Sequence, residues 1–382
     1  MLLDFRGVTA IYGRPGVGKT SLAMRMAHER VARGEKVLWV SLYEDRDVFM
    51  KNAASLGYNL SRVEFWDMIF VKTDVILNQI VSTVSQSDYS LVVVDSISSL
   101  VEGPQSREYL INAVYRVFRP AKIDFVGIAE EESVTPLDYI ADNLLRLELR
   151  IGRNVTERLM YVVKSRGRRA GYTVEFDILE GQGVVFLNDL PRPAPRAAWE
   201  AATEALPQPM GPVRGGRIYL FVGCDFTPLL ARVAADLSRE GRKVLYRVFG
   251  RGAFSVERLI EKYGGKAVVQ RVEPRPQSHF THMKNLYDSL AETDADVVVS
   301  DGVDMEFFIY GRKAFELNKT EFDELRRLGI ATLVNACRDR GLRVMADVTA
   351  QLHDGEVLLT SPEGGTRCRY EVQPLPRLAC NV

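Results

Sequence analysis

Short apolar runs alternate with longer stretches of helical periodicity through the first half of the chain. VTAIYG from Val8, KVLWVSL from Lys36, LVVVD from Leu91 and IDFVGIA from Ile123 are rich in β-branched residues and nearly bare of charge. Such runs predict strands buried on both faces. Between the first two, Leu22, Ala23, Met26, Ala27 and Val31 recur near helical spacing, and Gly34 follows as a stop. Strand–helix–strand repetition of this kind predicts a parallel sheet with helices on both faces. After residue 140 the pattern changes to LLRLELRI, RLMYVVKS and YTVEFDIL, closely spaced strands that predict antiparallel hairpins appended to the sheet.

The second half repeats the first in faded form. A shift of 207 positions places Gly34-Glu35-Lys36-Val37-Leu38-Trp39 on Gly241-Arg242-Lys243-Val244-Leu245-Tyr246, and brings Leu22 onto Leu229, Thr20 onto Thr227 and Gly57 onto Gly264. One position off that register, the run ending at Asp95 matches VVVSD ending at Asp301. Between the halves, residues 188–215 hold Pro191, Pro193, Pro195, Pro207, Pro209 and Pro212, six of the 16 prolines. Proline resists both helix interior and central strand, so this stretch reads as a linker, with room for a short helix through AAWEAATEAL. The expected fold class is α/β: two three-layer α/β/α domains, 1–187 and 216–382, with mostly parallel central sheets and appended antiparallel hairpins.

Composition narrows the function. Basic and acidic residues number 50 each in 382, which excludes a strongly basic nucleic-acid coat while leaving a local basic groove open. The opening MLLDFRG lacks a secretory pattern and no window is apolar enough for a membrane span, so the expected location is the cytoplasm. The cysteines, Cys224, Cys337, Cys368 and Cys380, contain no C-x-x-C pair, and the expectation is neither a zinc site nor a disulfide framework.

The strongest chemical signal is GRPGVGKT, Gly13 to Thr20, which satisfies G-x-x-x-x-G-K-S/T between a predicted strand and a predicted helix. Its glycines let backbone N–H groups turn inward around phosphate oxygens, and the helix N-terminus adds favourable partial charge. The candidate nucleotide-binding residues are therefore Gly13, Arg14, Pro15, Gly16, Val17, Gly18, Lys19, Thr20 and Ser21. Lys19 would reach the β- and γ-phosphates of ATP, and the Thr20 hydroxyl would ligate Mg2+ together with Asp95, the acid that ends LVVV.

The order GRPGVGKT, KVLWVSLYEDRDVFMKNAASLG, LVVVDSISSL, VVKSRGRR resembles the RecA-type ATPases, specifically their KaiC-like branch in archaea and bacteria. The likeness covers residues 7–187 well and 216–382 as a faded copy. It implies two RecA-like domains, with Glu44 of Tyr43-Glu44-Asp45 as the base that orients the attacking water. It also implies that Lys164 and Arg166, in Lys164-Ser165-Arg166-Gly167, act as fingers in the site of a neighbouring subunit, hence a homo-oligomer, either ring or dimer. Alternatives remain: Glu44 and Asp45 on a solvated loop, and KSRGRR as a solvated hairpin turn. Glu130-Glu131-Glu132 reads either as a sensor loop or as an acidic face. Few residues precede the first strand, which argues against a polymerising segment upstream of it.

In the second half the loop is three residues shorter and reads GCDFTP, with Asp225 and Phe226 at the positions of Gly18 and Lys19 and Arg251 at that of Glu44. An acid there repels phosphate, so this half is expected to lack nucleotide, with Asp301 a structural relic. The leading expectation is an ATP-binding, slowly hydrolysing protein whose nucleotide state controls assembly or a protein partner. A RadA-like nucleic-acid-handling ATPase is the alternative, supported by KSRGRR and by Arg271, Arg275, His279 and Phe280; a non-hydrolysing nucleotide-sensing scaffold is a third.

Overall fold

The computed structural model describes residues 4–69, 71, 73–100, 104–130, 136–152, 155–207, 210–250, 252–273, 279–362 and 364–380. The chain divides into two compact units, the first running to Leu190 and the second beginning at Pro191. The first unit carries β1 (Val8–Tyr12), α1 (Lys19–Ala32), β2 (Val37–Ser41), α2 (Arg46–Ser55), β3 (Glu64–Asp67), α3 (Thr73–Ser85), β4 (Leu91–Asp95), α4 (Pro104–Ala113), β5 (Asp124–Ala129), α5 (Pro136–Ile140), β6 (Asn143–Ile151), β7 (Thr156–Ser165), β8 (Tyr172–Leu179) and β9 (Gly183–Phe186).

Among the described residues these strands form one nine-stranded sheet in the order β3-β2-β4-β5-β1-β6-β7-β8-β9. The pairs are parallel through β1–β6 and antiparallel from β6–β7 onward. The scarcity of charge in these runs is explained by their two faces. Val37 and Trp39 of β2 pack with Leu22 and Phe49 on one side of the sheet, while Leu38 and Val40 pack with Ile76, Ile80 and Phe118 on the other. Alternate side chains of each central strand thus enter opposite cores. Each such burial contributes about 1.5–3 kcal/mol.

The second unit repeats the plan with β10 (Glu200–Ala201), β11 (Val213–Arg214), β12 (Ile218–Val222), α6 (Thr227–Arg239), β13 (Val244–Phe249), α7 (Ala253–Lys262), β14 (Val268–Val272), α8 (His279–Thr293), β15 (Val297–Asp301), α9 (Asp304–Tyr310), α10 (Lys313–Arg327), β16 (Ala331–Ala336), β17 (Val348–His353), β18 (Glu356–Ser361), β19 (Gly364–Glu371) and β20 (Arg377–Cys380). Its main sheet, β14-β13-β15-β16-β12-β17-β18-β19-β20, matches the first position for position. The two sheets with their helices are two RecA-like α/β domains. One face of the second is tied by buried charge: Arg247 of β13 bonds Glu321 of α10, His282 of α8 bonds Glu321 at 2.8 Å, and Asn318 donates to Glu306 of α9 at 2.7 Å.

Three local expectations differ from the structure. AAWEAATEAL forms no helix: β10 within it pairs with β11, while Ala201, Ala205 and Leu206 enter the core of the second unit. A helix this short is marginal alone, and burial of its apolar residues against the unit decides the conformation. Phe280, offered above as a base-stacking group, is fully buried, and Arg271 pairs with Glu273 at 3.2 Å. Arg275 and the His279 side chain lie outside the described residues. Finally, the cysteines do pair, Cys224 with Cys337 and Cys368 with Cys380. The spacing misled because Cys224 and Cys337 are 113 residues apart, yet each follows one of two adjacent parallel strands in which Val222 faces Ala336. Cys368 and Cys380 face each other directly across β19 and β20.

Candidate active site

The site lies where β1 leaves the sheet. Gly13, at φ +150°, passes so close to β6 that a Cβ there would stand 2.3 Å from the Leu147 carbonyl oxygen. Gly18, at φ +105°, is the N-cap of α1 and has no side-chain capping bond to offer. A left-handed backbone here favours glycine. It also leaves the first N–H groups of α1 without a side-chain partner, the arrangement that receives an anion.

Lys19 is buried, and its Nζ donates to the carbonyl oxygens of Gly13 at 2.7 Å and Arg14 at 3.1 Å. The ammonium holds the loop in an open curve around its own tip. Burial pushes the Lys19 pKa down, opposed by the nearby carboxylates of Glu130 and Asp95. The Thr20 hydroxyl donates to Asp95 Oδ2 at 2.7 Å, bridging α1 to the end of β4. Burial raises the Asp95 carboxyl to about 6, with Thr20 and Lys19 pulling the other way and Glu44 and Glu130 adding to the rise. These are hard oxygen donors beside a phosphate loop. They fit a Mg2+ ion that keeps several waters and shares phosphate oxygens.

Glu44 follows β2, whose last residue Ser41 lies opposite Asp95. Its backbone is fixed by Ser41, whose hydroxyl accepts from the Glu44 N–H at 3.0 Å and donates to the Glu44 carbonyl at 2.7 Å. Asp45 instead caps α2, accepting the Val48 N–H at 2.9 Å, a structural use, whereas Glu44 acts electrostatically on Asp95. Glu130, directly after β5, acts electrostatically on both Lys19 and Asp95. Of the two readings open for Glu130-Glu131-Glu132, this electrostatic reach favours a sensor role for Glu130, whose signal in the sequence is its place as the first acid after a buried strand. Glu131 and Glu132 lie outside the described residues.

Lys164 and Arg166 are not brought to this loop. They end β7, where Ser165 faces Asn143 and Asn143 faces Thr9, near the start of β1. The loop begins four residues further on at the opposite end, roughly 13 Å away at strand rise. Lys164 Nζ donates to the Asp138 carbonyl at 2.9 Å, and Arg166 pairs with Asp142 at 3.2 Å. On the outer side of the loop, Gly13, Arg14, Pro15 and Val17 face Arg146 to Arg150 of β6 across a cleft of about 640 Å³.

The corresponding edge of the second unit is filled. Phe226, at the position of Lys19, is fully buried against Phe221 and Tyr370. Asp301 accepts from Tyr246 at 3.0 Å and from Asn335 at 2.7 Å. Arg251 lies outside the described residues. No helix among the described residues is long and apolar enough to cross a membrane.

Comparison with known proteins agrees with this geometry. Residues 5–190 match the family model described as ATPase: KaiC. The chain is 27% identical over 203 residues to the circadian clock protein KaiC2 of Synechocystis, a match covering 47% of this chain and 35% of that protein. It is 34% identical over 90 residues to the DNA repair protein RadA of Campylobacter jejuni, covering 24% of this chain and 19% of that one. The chain thus spans only about a third or less of either relative. The glycine-rich loop, the Thr20–Asp95 hydrogen bond and the sheet order agree with these matches, and residues 5–190 are similar to the ATPase domain of KaiC, with the features of a RecA-superfamily P-loop ATPase.

Proposed function

We propose that the first domain binds Mg-ATP, hydrolyses it slowly, and through its nucleotide state controls self-assembly or a protein partner, while the second, a degenerate copy, binds no nucleotide. The observation that carries this reading is the Thr20–Asp95 hydrogen bond beside the buried Lys19 ammonium and the uncapped start of α1. Thr20 and Asp95 would hold the magnesium. When bound, that ion neutralises charge on the β- and γ-phosphate oxygens. Gly13 to Ser21 would cradle the phosphates, Lys19 swinging from its own loop carbonyls to the phosphate oxygens. Glu44 would accept a proton from the attacking water.

Lys164 and Arg166 would serve a neighbouring protomer, because they end β7 at the far end of β1 from their own loop. Arginine suits that role by presenting two parallel donors to phosphate. The decisive experiment measures ATP turnover of the whole chain, of Lys19→Ala, of Arg166→Ala and of the two variants mixed. Both variants alone should be inactive, and the mixture should regain activity wherever an intact loop meets an intact arginine. Turnover unaffected by Lys19→Ala would overturn the function; co-assembled mixtures that stay inactive would confine Arg166 to its own subunit.

The match to RadA favours a second reading, in which the ATPase handles nucleic acid. Binding of single-stranded DNA that weakens steeply with salt would support it.

A further inference from the structure

The two cysteine pairs stand in opposite environments. Cys368 is buried at 3% exposure, and its bond to Cys380 joins adjacent antiparallel strands within the core of the second domain. Cys224 and Cys337 are both exposed, at the C-terminal edge of the same sheet. Cys224 lies two residues before Phe226, the N-cap of α6, which makes no side-chain capping bond. Cys337 is followed by the exposed Arg338 and, two residues later, the exposed Arg340. The helix N-terminus and the two arginines favour a thiolate, while Asp225 beside Cys224 and the Asp304 carboxylate, which accepts the Cys337 N–H, oppose it. Thiol attack runs along the S–S axis and needs access to a sulfur, which residues on the surface offer more readily than a residue in the core.

We propose that Cys224 and Cys337 form a thiol–disulfide exchange site for small thiols of the glutathione class, and that Cys368–Cys380 is a permanent cross-link. The thiolate of one small thiol attacks the sulfur of either residue, forming a mixed disulfide and releasing the other cysteine as a thiolate. A second small thiol attacks the mixed disulfide, freeing the first cysteine and leaving the small thiols as their disulfide. Two electrons pass to the protein, and two small thiols are oxidised. The opened state frees the loop between β12 and α6 from the end of β16. The closed state spans 113 residues, so its loss removes a large constraint on the unfolded chain.

The test uses the intact chain, first oxidised with glutathione disulfide, then equilibrated with rising reduced glutathione, quenched in acid, alkylated and read by peptide mass spectrometry. Cys224 and Cys337 should become alkylated at glutathione levels that leave Cys368 and Cys380 linked, and the melting transition of the second domain should fall by roughly 10 °C. Cys337→Ser should trap glutathione on Cys224, and Cys224→Ser should trap it on Cys337. Simultaneous opening of both pairs, earlier opening of Cys368–Cys380, or failure of Cys224 and Cys337 to bond under oxidised glutathione would each overturn the proposal. Because the first measurement needs no substitution, a variant that fails to fold leaves it decisive.

Discussion

The loop after β1 and the loop after β12 leave the central strand of matching sheets at the same place and are built for opposite ends. In the first, Gly18 leaves α1 uncapped, and Lys19 is held over its own backbone by two carbonyl bonds. In the second, three residues are missing and Phe226 fills the space from below, its ring 5.4 Å from Phe221 and 5.3 Å from Tyr370. Thr20 reaches Asp95, whereas Thr227 is buried without a hydrogen-bond partner and Asp301 is held by Tyr246 and Asn335. A phosphate site needs unpaired donors around an open volume; a core needs that volume filled. One edge of this fold supplies either, and a few side chains decide which.

The largest contrast should come from the equivalent positions themselves. Phe226→Ala removes a fully buried aromatic and should destabilise the second domain by about 3–5 kcal/mol, while leaving nucleotide affinity intact. Calorimetry with and without nucleotide checks both halves of that statement; an unchanged melting transition would show that Phe226 is no core plug. Next in size, Glu44→Gln should retain ATP affinity and lower turnover by about two orders of magnitude. Should Asp45→Asn carry that loss instead, the cap of α2 would be the base. Turnover absent in the unaltered chain would leave a nucleotide-sensing scaffold.

Nucleotide at about 100 times its dissociation constant should stabilise the first domain by about 2.7 kcal/mol. That corresponds to roughly 5–11 °C in its melting transition. Lys19→Ala should abolish the shift. Titration calorimetry should give one nucleotide per chain, and two would break the contrast between the loops.

The smallest expected effect concerns pH in the second domain. Burial pushes the Glu321 carboxyl up, but Arg247 and His282 outweigh it and hold the group down at about 2. Burial pushes His282 down, and Glu321 and Glu306 outweigh that, raising it. Burial raises Glu306. Below the ordinary glutamate range the unfolded chain takes up a proton that folded Glu321 refuses, so stability falls with falling pH. Above about 6.5 the unfolded chain has lost the proton that folded His282 retains, so stability falls with rising pH. The raised Glu306 adds a loss as pH rises above the ordinary glutamate range, because the unfolded chain then releases a proton that folded Glu306 keeps. The second domain should therefore melt highest near about pH 4.5 and fall on both sides, and His282→Gln should flatten the fall above about 6.5.

Much of the first domain was legible from local pattern. β-Branched runs nearly bare of charge marked β1, β2, β4 and β5, because strands buried on both faces tolerate charge only at their ends, as at Asp95 and the Arg30-paired Asp124. The phosphate loop was legible because its glycines, lysine and threonine fall within eight residues, and the second loop's difference was legible because an acid and an aromatic stand at the places of Gly18 and Lys19. The helix expected in AAWEAATEAL and the base-stacking role for Phe280 failed on burial, which depends on residues far away in the chain.

The sequence by itself therefore determined the doubled α/β plan, the composition of the phosphate loop and the different residues at the matching loop of the second half, since each is written in neighbouring residues. Tertiary structure alone decided what meets across the sheet. Glu130 comes to act on Lys19 because strand order sets β5 beside β1, and the same order realises the expected meeting of Thr20 with Asp95. Lys164 and Arg166 go to the far end because β7 runs antiparallel to β6. Cys224 meets Cys337 because parallel neighbours bring their ends together whatever the length of chain between them.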